Sequence, residues 1–205
     1  MAEPLTLLGY GPSVYTRIAR MALAASGQGA QYVEVDPFAA PPDPRLAAVS
    51  PFGRVPVLVQ GDFILTETSA ITRHLMGHDA GKDRQAAARR EQVIAVLDAY
   101  GYWPLVRQIF VHGYFATREG APSDPQVLAA GLRAAQPVLN WLDGIVREPG
   151  ALTGPPARAD LHLLAMLDYL TRAPEGAQLL ATFADLSTYW AIHRTHPLLR
   201  ATDPL

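Results

Sequence analysis

The spacing of apolar residues along the chain changes around residue 80. Before that point, short apolar runs of strand length alternate with stretches of helical spacing. Residues 5–8 and 31–35 predict two strands, and residues 13–26 between them predict a helix. Residues 55–59 and 63–65 predict a hairpin, after which helical spacing resumes. The order strand, helix, strand, hairpin, helix indicates a mixed sheet with helices packed on it.

The first predicted helix has an apolar face and a charged face. Val14, Ile18 and Met21 recur at helical spacing and form the apolar face. Arg17 and Arg20 lie between these positions, so we expect both guanidinium groups to point to solvent. The pattern is typical of a helix that covers one face of a sheet.

The second part of the chain shows helical spacing only. Residues 77–81 resemble a linker, and the residues after it predict one long helix that is interrupted at Pro104. Pro125 follows Ser-Asp, which is a typical helix start, and residues 160–170 carry an almost entirely apolar helix face. No segment alternates with the period of a strand. An all-helical region is therefore expected.

These patterns predict two domains of different class. We expect a mixed α/β domain over residues 1–79 and an all-α domain over residues 83–205. The total length of 205 residues allows each domain a core of its own.

Composition and charge exclude several classes of function. Hydrophobic residues make up 49% of the chain and charged residues 18%, as in ordinary globular proteins. The net charge of −2 argues against nucleic acid as a partner, because nucleic-acid binders usually carry a basic excess. The chain has no cysteine, which excludes disulfides, zinc–thiolate sites, iron–sulfur clusters and a thiol nucleophile in the protein itself.

The sequence also argues against a membrane protein. No apolar stretch reaches the roughly eighteen residues that a transmembrane helix needs. Glu3 stands where a secretory signal carries basic residues, and the next apolar run breaks at Gly9. We therefore expect a cytoplasmic location.

Three sequence clusters resemble those of the cytosolic glutathione S-transferases, in particular serine-type, bacterial-like members. They are residues 13–23, which open a helix with Ser13, the run Ser-Pro-Phe-Gly-Arg-Val-Pro-Val-Leu at residues 50–58, and Leu-Thr-Glu-Thr-Ser-Ala-Ile at residues 65–71. The resemblance covers nearly the whole chain. It implies a thioredoxin-like glutathione-binding domain followed by an all-helical domain, and a homodimer in which Phe52 is a candidate contact. It further implies a detoxification enzyme that uses glutathione as co-substrate and needs no cofactor or metal.

Ser13 is the candidate catalytic residue. A thiolate is the nucleophile in thiol chemistry, and a hydroxyl at a helix N-terminus stabilises that anion through a charge-assisted hydrogen bond and the helix dipole. Tyr10 and Tyr15 are competing hydroxyls, although Tyr15 falls inside the helix. The alternative role for Ser13 is a helix cap without any part in chemistry.

The second and third clusters supply the predicted glutathione contacts. The Val55–Pro56 bond resembles the cis proline of thioredoxin-like folds, beside which an extended peptide pairs with the protein backbone. Arg54 is a candidate partner of the glycine carboxylate of glutathione, and a solvated surface arginine is the alternative. Glu67 and Thr68 are candidates for binding the γ-glutamyl ammonium and carboxylate. The alternative is a helix cap formed by Thr66 or Thr68, with Glu67 in the first turn.

A small hydrophobic electrophile is the expected second substrate. Tyr102, Val106 and Phe110 are four residues apart on the long helix and are candidates for its pocket, together with Tyr10. An aromatic stripe at this spacing also fits a helix core, and that alternative stays open.

Two other features limit the interpretation. The pairs His74/His78 and His193/His196 have helical spacing, but neither stands in a known metal-site pattern, so we expect no metal. Ala157 occupies the position where similar proteins carry a capping Ser or Thr before the helix that contains Asp160.

Two alternative functions remain open at this point. One is another glutathione-dependent activity on the same fold, such as isomerisation, peroxide reduction or dehalogenation. The other is a non-enzymatic module that recruits a protein partner. The Glu67–Thr68 pair argues against the second, because a scaffold needs no receptor for an ammonium and a carboxylate.

Overall fold

The computed structural model describes residues 3–77 and 83–204. The chain divides into two compact units, and the first contains Met1–His78 together with Pro197–Leu205. The second unit contains Asp79–His196. The predicted division placed residues 197–205 in the helical domain, whereas they group with the first unit. Most of the predicted linker at residues 77–81 lies outside the described residues.

The first unit contains the predicted mixed sheet, which is confirmed. Its strands are β1 (Thr6–Gly9), β2 (Gln31–Glu34), β3 (Val57–Gln60) and β4 (Phe63–Leu65), arranged in the order β2-β1-β3-β4. β1 pairs parallel with β2 and antiparallel with β3, and β4 pairs antiparallel with β3. The parallel pair requires a crossover, which the helix between β1 and β2 provides.

This unit contains α1 (Val14–Ser26), a short helix α2 (Pro44–Ala47) between the second strand and the hairpin, and α3 (Thr68–Met76). Of these, α1 and α3 follow the sequence patterns. α1 ends at Gly27, whose φ of 69° is in the left-handed region that glycine adopts without cost. α1 and α3 pack against each other, and α2 is a single turn.

The strand register separates the two faces of the sheet. Leu8 and Val57 are opposite each other and form one buried cluster with Val35 and Leu46 of the β2–α2 region. The neighbouring pair, Leu7 and Leu58, points to the other face because side chains alternate along a strand. Both leucines are fully buried, so both faces of the sheet are covered.

The prediction for Arg17 is wrong. Its side chain is only 1% exposed, and its Nη2 donates a hydrogen bond of 2.7 Å to the carbonyl of Leu199. Leu199 belongs to a short C-terminal helix of the first unit. Spacing within α1 could not show this, because the partner lies 182 residues away in the sequence.

The second unit is built from helices only within the part of it that the structure describes, as predicted. α4 (Arg84–Val96) continues without a break through π-helical turns at Leu97–Gly101 and Trp103–Phe115 into α5 (Ala116–Arg118). α6 begins at Pro125, after Asp124 accepts hydrogen bonds from the N–H groups of the first turn. The remaining helices of the chain are α6 (Pro125–Ile145), α7 (Arg158–Arg172), α8 (Pro174–Leu180), α9 (Ala184–His193) and α10 (Pro197–Ala201), of which α10 belongs to the first unit.

The long helix passes through Pro104 where an interruption was expected. Pro104 is buried near the start of the second π-helical stretch. A proline has no N–H and its ring collides with the carbonyl four residues back in an α-helix. A π-helical turn shifts the backbone hydrogen bonds to the fifth residue, so the helix accommodates the ring by widening.

Among the described residues, no helix has both the length and the apolar character that a membrane crossing demands.

Candidate functional site

The strand register brings three loops to the same end of the sheet. Leu8, near the end of β1, is opposite Val57 at the start of β3. Leu65, at the end of β4, is opposite Leu58. Because both pairs are antiparallel, the chain leaves β1, enters β3 and leaves β4 at the same end of the sheet. The predicted glutathione-site residues of the first unit lie on these three loops or directly after them: Ser13, Arg54, Val55, Pro56, Glu67 and Thr68.

Ser13 lies at the N-terminus of α1 and caps it. Its Oγ accepts a hydrogen bond of 3.3 Å from the N–H of Thr16, and its own N–H donates to the carbonyl of Tyr10 at 2.9 Å. The side chain is half-buried. Accepting a hydrogen bond leaves the hydroxyl hydrogen free to be donated to another group. The cap and the proposed chemistry are therefore compatible.

Thr16 tightens the corner between β1 and α1, and the sequence analysis missed it. Its Oγ1 accepts a hydrogen bond of 3.2 Å from the N–H of Tyr10, and the residue is fully buried. A Cβ on Gly9 would be 2.3 Å from the Cγ2 of Thr16, so only glycine allows this close approach. A buried threonine in the first turn of a helix was the available signal.

Glu34 is a second residue that the sequence analysis missed. One carboxylate oxygen accepts the N–H of Gly11 at 2.7 Å, and the other accepts the hydroxyl of Tyr32 at 2.5 Å. Gly11 lies in the loop that leads from β1 to Ser13. Nothing in the spacing of the chain links position 34 to this loop.

Ser50 organises the loop that carries Arg54. Its Oγ accepts the N–H of Arg54 and donates to the carbonyl of the same residue, both at 2.9 Å. Ser50 is buried, whereas Arg54 is exposed. The loop is therefore fixed by its backbone, and the guanidinium of Arg54 reaches into solvent.

The Val55–Pro56 peptide bond is cis, as the resemblance implied. Val55 is half-buried and Pro56 is buried, directly before β3 begins at Val57. Val55 and Pro56, which are predicted to pair with a peptide, are thus anchored by the burial of Pro56 next to β3.

Glu67 has an unusual backbone conformation. Its φ of 68° and ψ of 119° lie outside the regions that side-chain-bearing residues usually adopt. The residue occupies the N-cap position of α3, but its exposed side chain makes no capping hydrogen bond. The alternative placed Thr66 or Thr68 at the cap and Glu67 in the first turn, whereas Glu67 itself occupies the N-cap position and Thr68 is the first residue of the helix. Backbone strain of this kind is concentrated at functional sites.

Thr68 follows Glu67 as the first residue of α3 and is only 6% exposed. The N–H groups of the first turn of a helix have no partner within the helix and favour an anion. An exposed carboxylate followed by a helix N-terminus is the arrangement expected of a receptor for an ammonium and a carboxylate.

Tyr10 lies on the same loop as Ser13 and contacts Phe38. The two rings are arranged edge to face with centroids 6.0 Å apart, and Phe38 is 68% exposed. Two neighbouring aromatic rings at this end of the sheet form an apolar surface close in sequence to Ser13. This fits the predicted contact of Tyr10 with an apolar substrate.

The other pocket candidates lie in the second unit. Val106 and Phe110 are buried, and the ring of Phe110 packs on the fully buried Tyr169 with centroids 4.6 Å apart. Tyr102 is half-buried on the same π-helical region. The burial of Val106 and Phe110 agrees with the alternative of a helix core, and a role in electrophile binding stays a prediction.

Asp160 forms a buried hydrogen-bond cluster at the start of α7. It accepts the N–H groups of Gly154 at 2.8 Å and Thr153 at 3.3 Å, and the hydroxyl of Tyr189 at 2.5 Å. Burial raises the pKa of the Asp160 carboxyl above its ordinary value, although the hydrogen bond from Tyr189 acts in the opposite direction. Burial also raises the pKa of Tyr189, so the phenol stays protonated and donates.

One described histidine of each pair packs against an aromatic ring. The ring of His193 packs against Tyr189 with centroids 4.7 Å apart, and the ring of His74 packs against Phe63 at 5.2 Å. His78 lies outside the described residues. In residues 3–77 and 83–204, no group of three or more His, Cys, Asp or Glu side chains is placed to hold a metal ion.

Comparisons with known proteins agree with the fold. The family described as "Glutathione S-transferase, N-terminal domain" matches residues 7–83. "Glutathione S-transferase F10" of Arabidopsis thaliana is 29% identical over 155 residues, which cover 72% of this chain and 72% of that protein.

Solved structures show the same fold over almost the full length. Glutathione S-transferase-I bound with lactoylglutathione gives a TM-score of 0.83 at 22% identity and covers 98% of both chains. Glutathione transferase F7 from Populus trichocarpa gives a TM-score of 0.81 at 22% identity and covers 97% of both. The chain therefore matches the glutathione S-transferase N-terminal domain over residues 7–83 and shares the fold of solved glutathione transferases over almost its full length.

Proposed function

We propose that the protein conjugates the thiol of glutathione to small apolar electrophiles. The observation that carries this proposal is the strand register, which collects Ser13, the Val55–Pro56 stretch and Glu67 at one end of the sheet. Each of these three groups offers a different kind of contact, and a γ-glutamyl peptide with a central thiol matches all of them.

In this proposal, the tripeptide lies across the loops at this end of the sheet. Glu67 receives the γ-glutamyl ammonium, and Thr68 with the N-terminus of α3 receives the neighbouring carboxylate. The cysteine backbone pairs with Val55 beside Pro56. Arg54, whose exposed guanidinium projects from a loop held by Ser50, receives the glycine carboxylate.

Ser13 would activate the thiol. An ordinary thiol has a pKa of about 8.5 and is mostly protonated at neutral pH. The Ser13 hydroxyl donates to the sulfur anion, and the positive end of the α1 dipole stabilises the same charge. The thiol proton passes to solvent water. The thiolate then attacks an electrophilic carbon, the new carbon–sulfur bond forms, and the leaving group departs with the electron pair of its bond.

Substitution of Ser13 tests the proposal directly. Ser13→Ala removes the hydroxyl donor, and we expect kcat/KM at neutral pH to fall by about tenfold or more. The apparent pKa in the pH profile of kcat/KM should rise towards that of free thiol. Ser13→Thr retains a hydroxyl at the cap position and should recover most of the rate.

Two measurements complete this test. Ser26→Ala, at the other end of α1, is the matched control and should leave the profile unchanged. Calorimetric titration with glutathione reports binding separately from chemistry. Unchanged turnover of Ser13→Ala would remove Ser13 from the mechanism, and no binding by the unsubstituted protein would refute glutathione as substrate.

Other glutathione-dependent activities on the same fold are the second candidate. Isomerisation, peroxide reduction and dehalogenation use the same glutathione site and differ in the second substrate. The exposed ring of Phe38 beside the half-buried Tyr10 favours an apolar second substrate, which fits conjugation of hydrophobic electrophiles. A panel of electrophiles, isomers and hydroperoxides, assayed side by side, separates these reactions.

Three further expectations belong to this proposal. The enzyme would work without a cofactor or metal, because thiol activation needs only hydrogen bonds and a dipole. It would act in the cytoplasm. A homodimer is expected, with Phe52 as a contact, since this ring is 69% exposed in the loop before β3.

A further inference from the structure

We propose that Glu34 is a positioning residue that holds the β1–α1 corner in the geometry that thiol activation requires. The proposal rests on the proposed function, because Ser13 is the group that the corner carries. Glu34 lies on β2, and β1 separates this strand from β3 and β4, which adjoin Val55 and Glu67. Glu34 acts through Gly11, two residues before Ser13.

Both oxygens of the Glu34 carboxylate are engaged. Oε1 accepts the N–H of Gly11 at 2.7 Å, and Oε2 accepts the hydroxyl of Tyr32 at 2.5 Å. Charge-assisted hydrogen bonds of this length are stronger than bonds between neutral groups. The carboxylate therefore ties the loop after β1 to the side chain of a residue on β2.

The backbone of Glu34 is itself fixed on two sides. Glu34 is opposite Gly9 in the parallel β1–β2 ladder, and the next N–H, that of Val35, donates to the Gly9 carbonyl at 2.7 Å. On the other side, Nη2 of Arg45 donates to the Glu34 carbonyl at 3.1 Å. The carboxylate is thus presented from a rigid strand end.

The second partner, Tyr32, is 37% exposed, and its ring lies close to Gly9 of β1 and Arg20 of α1. A Cβ on Gly9 would be 2.9 Å from the Cε2 of Tyr32, and the guanidinium carbon of Arg20 lies 5.2 Å from the ring centroid. The hydroxyl of Tyr32 then orients the Glu34 carboxylate towards Gly11. The Glu34 carboxylate thus joins β2 to the loop after β1, and the ring of Tyr32 adds a contact with Arg20 of α1.

The benefit of Glu34 has to be geometric. A carboxylate near the N-terminus of α1 disfavours a second anion there, since like charges repel. A negative charge close to a site that must stabilise a thiolate is useful only if its hydrogen bonds place the thiol-activating group. The loss of the charge and the loss of the hydrogen bond to Gly11 should therefore have different effects, and the variants Glu34→Gln and Glu34→Ala separate them.

Glu34→Gln keeps an oxygen that accepts the Gly11 N–H and removes the charge. Glu34→Ala removes both. We expect kcat of Glu34→Ala to fall by about tenfold, which is the effect of one lost charge-assisted hydrogen bond, with little change in KM for glutathione. Its apparent thiol pKa should rise, whereas that of Glu34→Gln should stay or fall and its kcat should recover most of the loss.

Tyr32→Phe and Asp62→Ala are the matched variants. Tyr32→Phe removes the hydroxyl that orients Glu34 and keeps the ring, so it should give a smaller loss of kcat than Glu34→Ala. Asp62→Ala removes an exposed carboxylate at the β3–β4 turn and should leave the pH profile unchanged. Thermal unfolding identifies any variant that fails to fold.

Amide NMR of the ligand-free protein keeps this inference separate from the proposed function. The Gly11 resonance should move upfield in Glu34→Ala and remain near its original position in Glu34→Gln. A Gly11 amide that is insensitive to Glu34→Ala overturns the positioning role, even if glutathione binds. Equal losses of kcat in Glu34→Ala and Glu34→Gln also overturn it, while a failure of the unsubstituted protein to bind glutathione refutes only the proposed function.

Discussion

Glu67 shows how the site and the stability of the first unit are linked at the level of one residue. An exposed glutamate has no stabilising contact that would require φ of 68° and ψ of 119°. A side-chain-bearing residue in such a region costs about 1–3 kcal/mol. The conformation is held by the hairpin before it and by α3 after it, where the N–H of Ile71 donates to the Glu67 carbonyl at 2.9 Å.

Replacing Glu67 by glycine should therefore separate stability from binding. Glu67→Gly relieves the strain, and we expect the free energy of unfolding to rise by about 1 kcal/mol. Loss of the carboxylate should weaken glutathione binding about tenfold or more, because the ammonium loses its charged partner. Urea unfolding and calorimetric titration measure the two effects.

The control for this experiment is Glu67→Gln, which keeps the strained backbone and removes only the charge. It should weaken binding without a gain in stability. A Glu67→Gly variant that binds glutathione as tightly as the original protein would exclude Glu67 from the site.

Single residues were predictable from the sequence where their role is local. Ser13 precedes a helical pattern, so its position at the α1 N-terminus followed from the neighbouring residues. The roles of Arg17 and Glu34 depend on partners that lie 182 and 23 residues away along the chain and that folding brings together. Each pairs with a backbone group whose position no periodicity encodes, and each was missed or misplaced.

At the level of elements, α7 begins without the capping Ser or Thr that similar proteins are expected to carry at this position. Ala157 occupies the N-cap position and makes no side-chain cap. Asp160 instead accepts the N–H groups of Thr153 and Gly154, and Tyr189 from α9 donates to it. A second helix thus contributes to fixing the start of the first.

This arrangement predicts a pH-dependent contribution to stability. Because burial raises the pKa of Asp160 in the folded state, its ordinary value of 3.8 applies only to the unfolded chain. The folded protein then binds the proton more tightly than the unfolded chain. The contribution of this group to the free energy of unfolding is largest below the ordinary value and falls as pH rises through the raised one.

Tyr189→Phe should make the free energy of unfolding depend more strongly on pH. Without the phenol hydroxyl, the ionised carboxylate loses a donor, and we expect a loss of about 2 kcal/mol in the free energy of unfolding at pH 7. The loss should be smaller at acidic pH, where Asp160 is protonated. Tyr100→Phe, at an exposed tyrosine, is the control. Denaturant unfolding from pH 4 to pH 8 tests the sign, and a loss that is independent of pH would contradict it.

Strands and helices with a clear spacing of apolar residues were predictable from the sequence. Whether a helix has α- or π-type backbone hydrogen bonds was not. The four strands and α1 follow from alternation or helical spacing, with ends that differ by one or two residues. The π-helical turns around Pro104 were not foreseen, because helical spacing of apolar residues looks similar in α- and π-helices. Gly131 of α6 packs against the second of these turns, where a Cβ would be 2.6 Å from that of Gln108.

At the level of the whole molecule, the end of the described chain returns to the first unit. Pro197–Leu205 groups with Met1–His78, and α10 packs against α1. Leu199 and Thr202 are buried there, and the guanidinium of Arg17 donates to the Leu199 carbonyl. The sequence analysis assigned this segment to the helical domain because it follows that domain along the chain.

Arg17→Met tests this attachment. The substitution keeps the apolar volume and removes a donor to a buried carbonyl, so we expect the free energy of unfolding to fall by about 1–3 kcal/mol. Hydrogen exchange should become faster in α1 and in residues 197–204, but not in α7. Arg200→Met, on the exposed side of α10, is the control. Unchanged exchange in α1 would show that the segment does not support it.

The return of this segment has a consequence for synthesis on the ribosome. The sheet of the first unit emerges early, yet the side of α1 that Leu199 covers stays open until more than a hundred further residues have been translated. Its buried arginine must remain hydrated during that interval. A nascent chain halted before residue 197 should therefore hold a looser α1 than the released protein, and the β1–α1 corner that carries Ser13 would mature last.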